Sequence, residues 1–188
     1  QARLWQQESL PAVRMAVNLS GYQLQHRDFV QTVEKVLDQV GLPGDLLEVE
    51  VTETVIMQNP DFVVALLNQL RELGIHISID DFGTGYSSLA HLKRFSVNTL
   101  KIDKSFIRDV ENNVTDAAIA SAIIAMGNSL NLRVIAEGVE TVGQLTFLKN
   151  QRCDEIQGYL FSHPLEPEAA AEFLRRNHSG AVSPEQLS

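Results

Sequence analysis

Strand-like and helix-like runs alternate six times along this chain, always strand first. RMAVNLS (14–20), LLEVEVTE (46–53), IHISID (75–80), NTLKID (98–103) and LRVIAEGV (132–139) read as strands, and EIQGYLF (155–161) holds a short one. FVQTVEKVLDQV (29–40) carries apolar residues at helical spacing and is stopped by Gly41 and Pro43. FVVALLNQLRELG (62–74) is an amphipathic helix closed by Gly74. SSLAHLKRF (87–95), TDAAIASAIIAMGNSL (115–130), TVGQLTFLKN (141–150) and PEAAAEFLRRN (167–177) complete the helices, with Thr115 as a cap. Such alternation requires parallel strands joined by helical crossovers. Two architectures satisfy it, a doubly wound open sheet and a (β/α)8 TIM-type barrel.

Strand parity separates them. Successive side chains of a strand point to opposite faces. Leu47, Val49 and Val51 share one face, as do Ile75, Ile77 and Ile79, Leu100 and Ile102, and Val134 and Ala136. The other face of each strand ends, at its C-terminal end, in a polar residue: Asn18, Glu50, Asp80, Lys101, Glu137 and Gln157. A sheet covered by helices on both sides would carry apolar residues on both faces. A barrel places the second face inside and its functional groups at the C-terminal mouth. The pattern therefore predicts a (β/α)8 barrel of which this chain holds about six of the eight βα units. Residues 1–12 read as a connecting segment or helix tail, 13–177 as the partial barrel and 178–188 as a C-terminal tail. An incomplete barrel is expected to leave two sheet edges open.

SIDDFGTGYSSL (78–89) raises a specific problem, because Asp80 and Asp81 are adjacent carboxylates at a strand end. Like charges at that spacing are costly unless a cation binds them. Asn18, Glu50, Asp80 and Asp81 offer oxygen ligands only, which select Mg²⁺, Mn²⁺ or Ca²⁺ over zinc or copper. Two such ions about 3.5–4 Å apart clamp the attacking and departing oxygens of a phosphoryl centre. Lys101 could hold a water or offset charge, and Glu137 could take the water's proton. The set reads as a metal-dependent phosphodiester hydrolase. The net charge of −9 argues against binding a DNA or RNA polymer, which needs a basic face. The single cysteine, Cys153, excludes an intrachain disulfide and fits a reducing, cytoplasmic setting. No apolar run approaches a membrane span. AAIASAIIAM in the long helix reads as core packing or a dimer face.

NLS (18–20), EVTE (50–53), DDFGTGYSSL (80–89), LKID (100–103), AEGVET (136–141) and QGYLFSHP (157–164) together resemble the EAL domain family, over about residues 13–175. That resemblance implies a (β/α)8 barrel that hydrolyses the bacterial messenger cyclic di-GMP to linear pGpG. It implies Mg²⁺ or Mn²⁺, in a two-ion site, on Asn18, Glu50, Asp80 and Asp81. It assigns Lys101 and Glu137 to the attacking water and Glu53 to steadying the DFGTG loop. Glu140, Gln157 and Tyr159 fall in segments that border the nucleotide. It implies cyclic di-GMP as ligand, a possible homodimer, and sensor or GGDEF-type domains elsewhere in the parent chain, which a membrane-anchored sensor would also suit. The Glu-Ala-Leu motif and its following arginine are not among the 188 residues, and the family pattern puts both on a strand upstream of Gln1. Activity is therefore expected of the parent protein. The alternative is an inactive cyclic di-GMP receptor, a type that loses acids which are present here.

Overall fold

The computed structural model describes residues 1–26, 28–85, 92 and 94–176. Six strands form one sheet: β1 (Met15–Asn18), β2 (Leu47–Thr52), β3 (His76–Phe82), β4 (Thr99–Ile102), β5 (Arg133–Ala136) and β6 (Glu155–Ile156). All neighbours are parallel, and the order across the sheet is the order in sequence. That order decides between the two architectures. A doubly wound sheet reverses direction at its switch point. Here every crossover moves one strand the same way, so right-handed crossovers place all their helices on one side. The sheet curls into an arc of a (β/α)8 barrel, with β1 and β6 as its outer strands.

The core lies between the convex face of this arc and the helices. Val49, Val51, Ile77, Ile79, Leu100, Ile102, Val134 and Ala136 all lie at 2% exposure or less. Against them pack α3 (Phe29–Val40), α5 (Pro60–Glu72), α7 (Val114–Ser129) and α8 (Val142–Asn150). Short helices α2 (Gly21–Leu24), α4 (Glu53–Gln58) and α6 (Ser105–Arg108) follow β1, β2 and β4 directly, and sequence periodicity did not reveal them. They are too short to show a 3.6-residue repeat. The opening residues form α1 (Ala2–Gln7), and Trp5 and Leu10 pack on Ala171 of α9 (Pro167–Arg176) as a separate small cluster. Arg175 and Glu8 pair at 2.7 Å beside it.

Several element ends differ from the sequence reading. Asn113, not Thr115, caps α7: its Oδ1 accepts the N–H groups of Thr115 and Asp116 at 2.9 and 3.3 Å. The short strand expected within EIQGYLF is the two-residue β6. After Ile156 the chain turns over Val139, whose carbonyl accepts the Leu160 N–H at 3.0 Å. Glu53 opens α4 instead of ending β2. Most of the expected helix at 87–95 lies outside the described residues. His76 sits at the start of β3, where Arg14 Nη2 approaches its Nε2 at 3.0 Å. A guanidinium only donates, so Nε2 is the acceptor there.

Gly127 sets how closely α7 approaches β5. A Cβ at Gly127 would lie 2.3 Å from Val134 Cγ2. Gly127→Ala is expected to destabilise the fold by about 1–3 kcal/mol despite Ala's better helix propensity. Thermal unfolding should show the loss, with partial recovery in a Gly127→Ala/Val134→Ala double variant. A midpoint at or above wild type would show that the contact relaxes freely.

Candidate active site

The polar strand ends meet at the carboxyl mouth of the arc, and Lys101 is their centre. Its Nζ lies 2.7 Å from Glu50 Oε1, 2.7 Å from Glu137 Oε1 and 3.2 Å from Asp80 Oδ1. The parallel register brings these residues together: β2 carries Glu50 and β3 carries Asp80, flanking strands pair with them, and β4 and β5 deliver Lys101 and Glu137. Lys101 is only 4% exposed. Burial alone would lower its pKa, but hydrogen bonds to Glu137 and Glu50 and the charges of Glu137 and Asp80 outweigh it. The ammonium therefore stays protonated well above the ordinary lysine range. Burial pushes the Glu137 pKa up; Lys101 opposes that rise, while Asp80 and Glu50 add to it. One cation thus faces three acids. Asp80 Oδ1 is buried and near the ammonium, yet among the described residues no donor is aligned to hydrogen-bond it.

Simple alternation would send Asp81 to the opposite face from Asp80. A bulge prevents this. The β3–β4 register shifts between Ile79 and Phe82, and Asp81 adopts a left-handed φ of 53°. A side chain in that conformation is strained, and the distortion re-aims it towards the mouth. Asp80, Asp81 and Glu137 each offer a carboxylate oxygen within 4.8 Å of the others. Beyond Asp81, Asp103 accepts the Ser105 N–H at 2.9 Å. Burial, then the charges of Asp80 and Asp103, raise the Asp81 pKa. Burial also acts to raise Asp103, but hydrogen bonds from Ser105 and the charge of Lys104 help to leave it lowered.

Glu53 holds the loop that carries this bulge. It is 2% exposed, and its Oε2 accepts the Gly83 N–H at 3.0 Å. A Cβ at Gly85 would lie 2.6 Å from Glu53 Oε1, so only glycine lets the loop settle over this carboxylate. Thr84 Oγ1 donates to the Asp81 carbonyl at 2.8 Å and tightens the turn.

The far rim is a crossing of two segments. Val139 N–H donates to the Gln157 carbonyl at 3.0 Å, and Gln157 N–H to the Ala136 carbonyl at 2.8 Å. Gly158 lies so close that a Cβ there would be 2.1 Å from the Val139 carbonyl oxygen. Gln157, Glu140 and Tyr159 border a cavity here with Glu137. Tyr159 is 55% exposed, with its ring 4.2 Å from that of His163. Asn18 lies beside Glu50 in the β1–β2 register, with its side chain exposed.

The structure thus gathers Glu50, Asp80, Asp81, Lys101 and Glu137 into one cluster. Asn18 and Gln157 stand beside it, Glu140 and Tyr159 lie further out, and Glu53 lies behind. Three contributors were missed in sequence: Asp103, Lys104 and Gln144. Strand parity puts Asp103 on the face of Lys101. Gln144, three residues after Thr141, matches the T-x-x-Q capping box. Its Oε1 accepts the N–H groups of Glu140 and Thr141 at 2.7 and 3.0 Å, and its Nε2 donates to the Arg108 carbonyl at 3.0 Å. The donor set fits a hard divalent cation: among the described residues every potential ligand is oxygen, three carboxylates converge, and a buried acceptor has no donor.

A parallel barrel arc with an all-oxygen carboxylate cluster at its carboxyl mouth defines a class of (β/α)8 barrel domain with an acidic site at its strand ends. Comparison makes the assignment particular: the EAL domain family matches residues 1–164, and the chain belongs to that family. The cyclic di-GMP phosphodiesterase NbdA of Pseudomonas aeruginosa is 50% identical over 172 residues, covering 92% of this chain but 22% of NbdA. The chain therefore spans only about a fifth of that relative's length. The solved PaMucR phosphodiesterase–c-di-GMP complex superposes with a TM-score of 0.86 at 44% identity, covering 89% of this chain and 68% of that one. A Klebsiella pneumoniae BlrP1 manganese/cy-diGMP complex gives 0.78 at 35% identity, covering 86% and 42%. Among the described residues no helix is long and apolar enough to cross a membrane.

Lys101→Met would leave one buried and two half-buried acids without their cation. In the presence of a chelator this is expected to cost about 3–5 kcal/mol of stability. Added Mn²⁺ should restore much of the loss, since a divalent ion can take over the charge balance. An unchanged thermal midpoint in chelator would show that the ammonium does not hold the cluster.

Proposed function

We propose that this domain hydrolyses cyclic di-GMP to linear pGpG, using two divalent ions, Mg²⁺ or Mn²⁺. The observation that carries the reading is the convergence of Glu50, Asp80, Asp81 and Glu137 around Lys101 at the barrel mouth. The names of NbdA and MucR and the manganese complex of BlrP1 support it. Asn18, Glu50, Asp80 and Asp81 hold the ions. When bound, such ions polarise the phosphoryl oxygens and make a bound water nucleophilic at neutral pH.

The chain's own groups do the rest. Lys101 donates to the attacking water and fixes its position against the phosphorus, which is the orientation term of catalysis. Glu137, whose proton affinity is raised by burial, accepts the water's proton. Glu53 keeps the 81–85 loop, and with it Asp81, in place. Glu140, Gln157 and Tyr159 contact the nucleotide. A homodimer, and a sensor or cyclase domain in the same polypeptide, belong to this reading; MucR is named as a bifunctional diguanylate cyclase and phosphodiesterase.

The test is product analysis with the full chain in which these residues occur. Cyclic di-GMP with Mg²⁺ or Mn²⁺ should yield pGpG; binding without turnover would instead make the domain a receptor. Glu50→Ala should reduce kcat by more than the about 10–100-fold typical of losing a metal's supporting partner, with a smaller effect on nucleotide affinity. Normal turnover in that variant would remove Glu50 from the ion site. Replacing Mg²⁺ with Ca²⁺ should suppress the rate, because Ca²⁺ coordinates at longer and looser distances. Equal rates would argue against a tightly held pair.

A further inference from the structure

Strand β3 turns His76, Ser78 and Asp80 to the inside of the arc. Ser78 is fully buried, at 0% exposure, and among the described residues its Oγ has no hydrogen-bond partner. The other buried side-chain oxygen of those residues in the same condition is Asp80 Oδ1. The two residues stand two apart on one strand, so their side chains leave the same face at a rise of about 6.5 Å. A buried polar atom without a partner carries its full desolvation penalty, and native proteins hold few of them. Two neighbouring ones on one face of one strand point to a shared occupant.

The two atoms are complementary. A serine hydroxyl donates and accepts, whereas an ionised carboxylate only accepts. A water molecule set between them accepts from the Ser78 hydroxyl and donates to Asp80 Oδ1. The surroundings suit one, because a buried water needs about two to four polar partners. Glu50 on β2 and Thr99 on β4 lie level with Ser78 in the strand register, and both are buried on the same inner face. His76 and Thr99, its neighbours along and across the sheet, line a cavity of about 480 Å³ at the amino end of the strands. That cavity brings solvent to the level of Ser78 from the side opposite the carboxylate cluster.

We propose that Ser78 is a positioning residue, which orients the Asp80 carboxylate through one buried water. The water takes one of the roughly four acceptor positions of that carboxylate, and the others stay turned to the mouth. A carboxylate that ligates a metal is itself commonly hydrogen-bonded from behind, and losing that partner costs about 10–100-fold in metal affinity or activity. The inference deepens the ion site proposed above and rests on that reading for its metal readout. The water bridge between Ser78 and Asp80 stands without it.

The experiment uses the full chain in which these residues occur. Thermal unfolding in chelator is measured for wild type, Ser78→Ala, Asp80→Ala and the double variant. Removing a hydroxyl that truly lacks a partner is neutral or stabilising. Removing one that anchors a bridging water should lower the midpoint by about 2–4 °C. That loss should disappear in the Asp80→Ala background, because the cycle reads the coupling between the two side chains. Mn²⁺ titration by calorimetry should show affinity about 10-fold weaker in Ser78→Ala. A purely structural serine would move the midpoint alone, with no coupling to Asp80 and no change in Mn²⁺ affinity. A crystal structure of wild type should place a water within hydrogen-bond distance of both Ser78 Oγ and Asp80 Oδ1. An unchanged or raised midpoint in Ser78→Ala overturns the inference, as does additivity in the cycle, unaltered Mn²⁺ affinity or a dry contact between the two side chains. Wild-type protein that binds no Mn²⁺ defeats the ion-site reading instead, and the cycle in chelator still tests the bridge.

Discussion

A buried ammonium ringed by acids is the constraint on which the rest of the site depends. Lys101 is placed where strands β2, β3 and β5 each bring a carboxylate within 3.2 Å of its Nζ. Without that charge, Glu50, Asp80 and Glu137 would crowd together with no cation among them, at a cost in repulsion and desolvation. With it, an excess of negative charge still remains at the mouth. A surplus of that kind is a site for further positive charge, and the donor-less Asp80 oxygen is consistent with it. The same lysine thus makes the cluster tolerable to the fold and, in the proposed reaction, orients the water.

Around this centre the supporting structure is built from close backbone approaches. The 81–85 loop lies on Glu53 because Gly85 has no Cβ to obstruct it. The 136–140 and 156–160 segments interlock because Gly158 has none. Gln144 ties the second of these regions to α6 with three hydrogen bonds from one buried amide. Both rims are thereby held by groups that do no chemistry themselves. This arrangement suits a site in which charged side chains must keep fixed separations.

Much of this was legible in the chain. The strand–helix alternation carried the parallel topology, and parity carried the shared face of Glu50, Asp80, Lys101 and Glu137. These are local properties: a strand's two-residue repeat and the right-handed crossover follow from backbone geometry alone. The short helices α2, α4 and α6 were not legible, being a single turn or little more. The α7 cap was misplaced by two residues, because Asn113 and Thr115 are both capable acceptors and only the local backbone path chooses between them.

By itself, the sequence determined the class of fold, the residue types at the mouth and the family pattern, because each is written in periodicity and in short motifs. The tertiary structure alone decided where Asp81 points. Its alternation with Asp80 predicts opposite faces, and only the bulge against β4, with its left-handed backbone, brings both acids to one side. It also decided that Gln144 braces the far rim. Those relations join segments distant in sequence, and no local repeat encodes the distance between them.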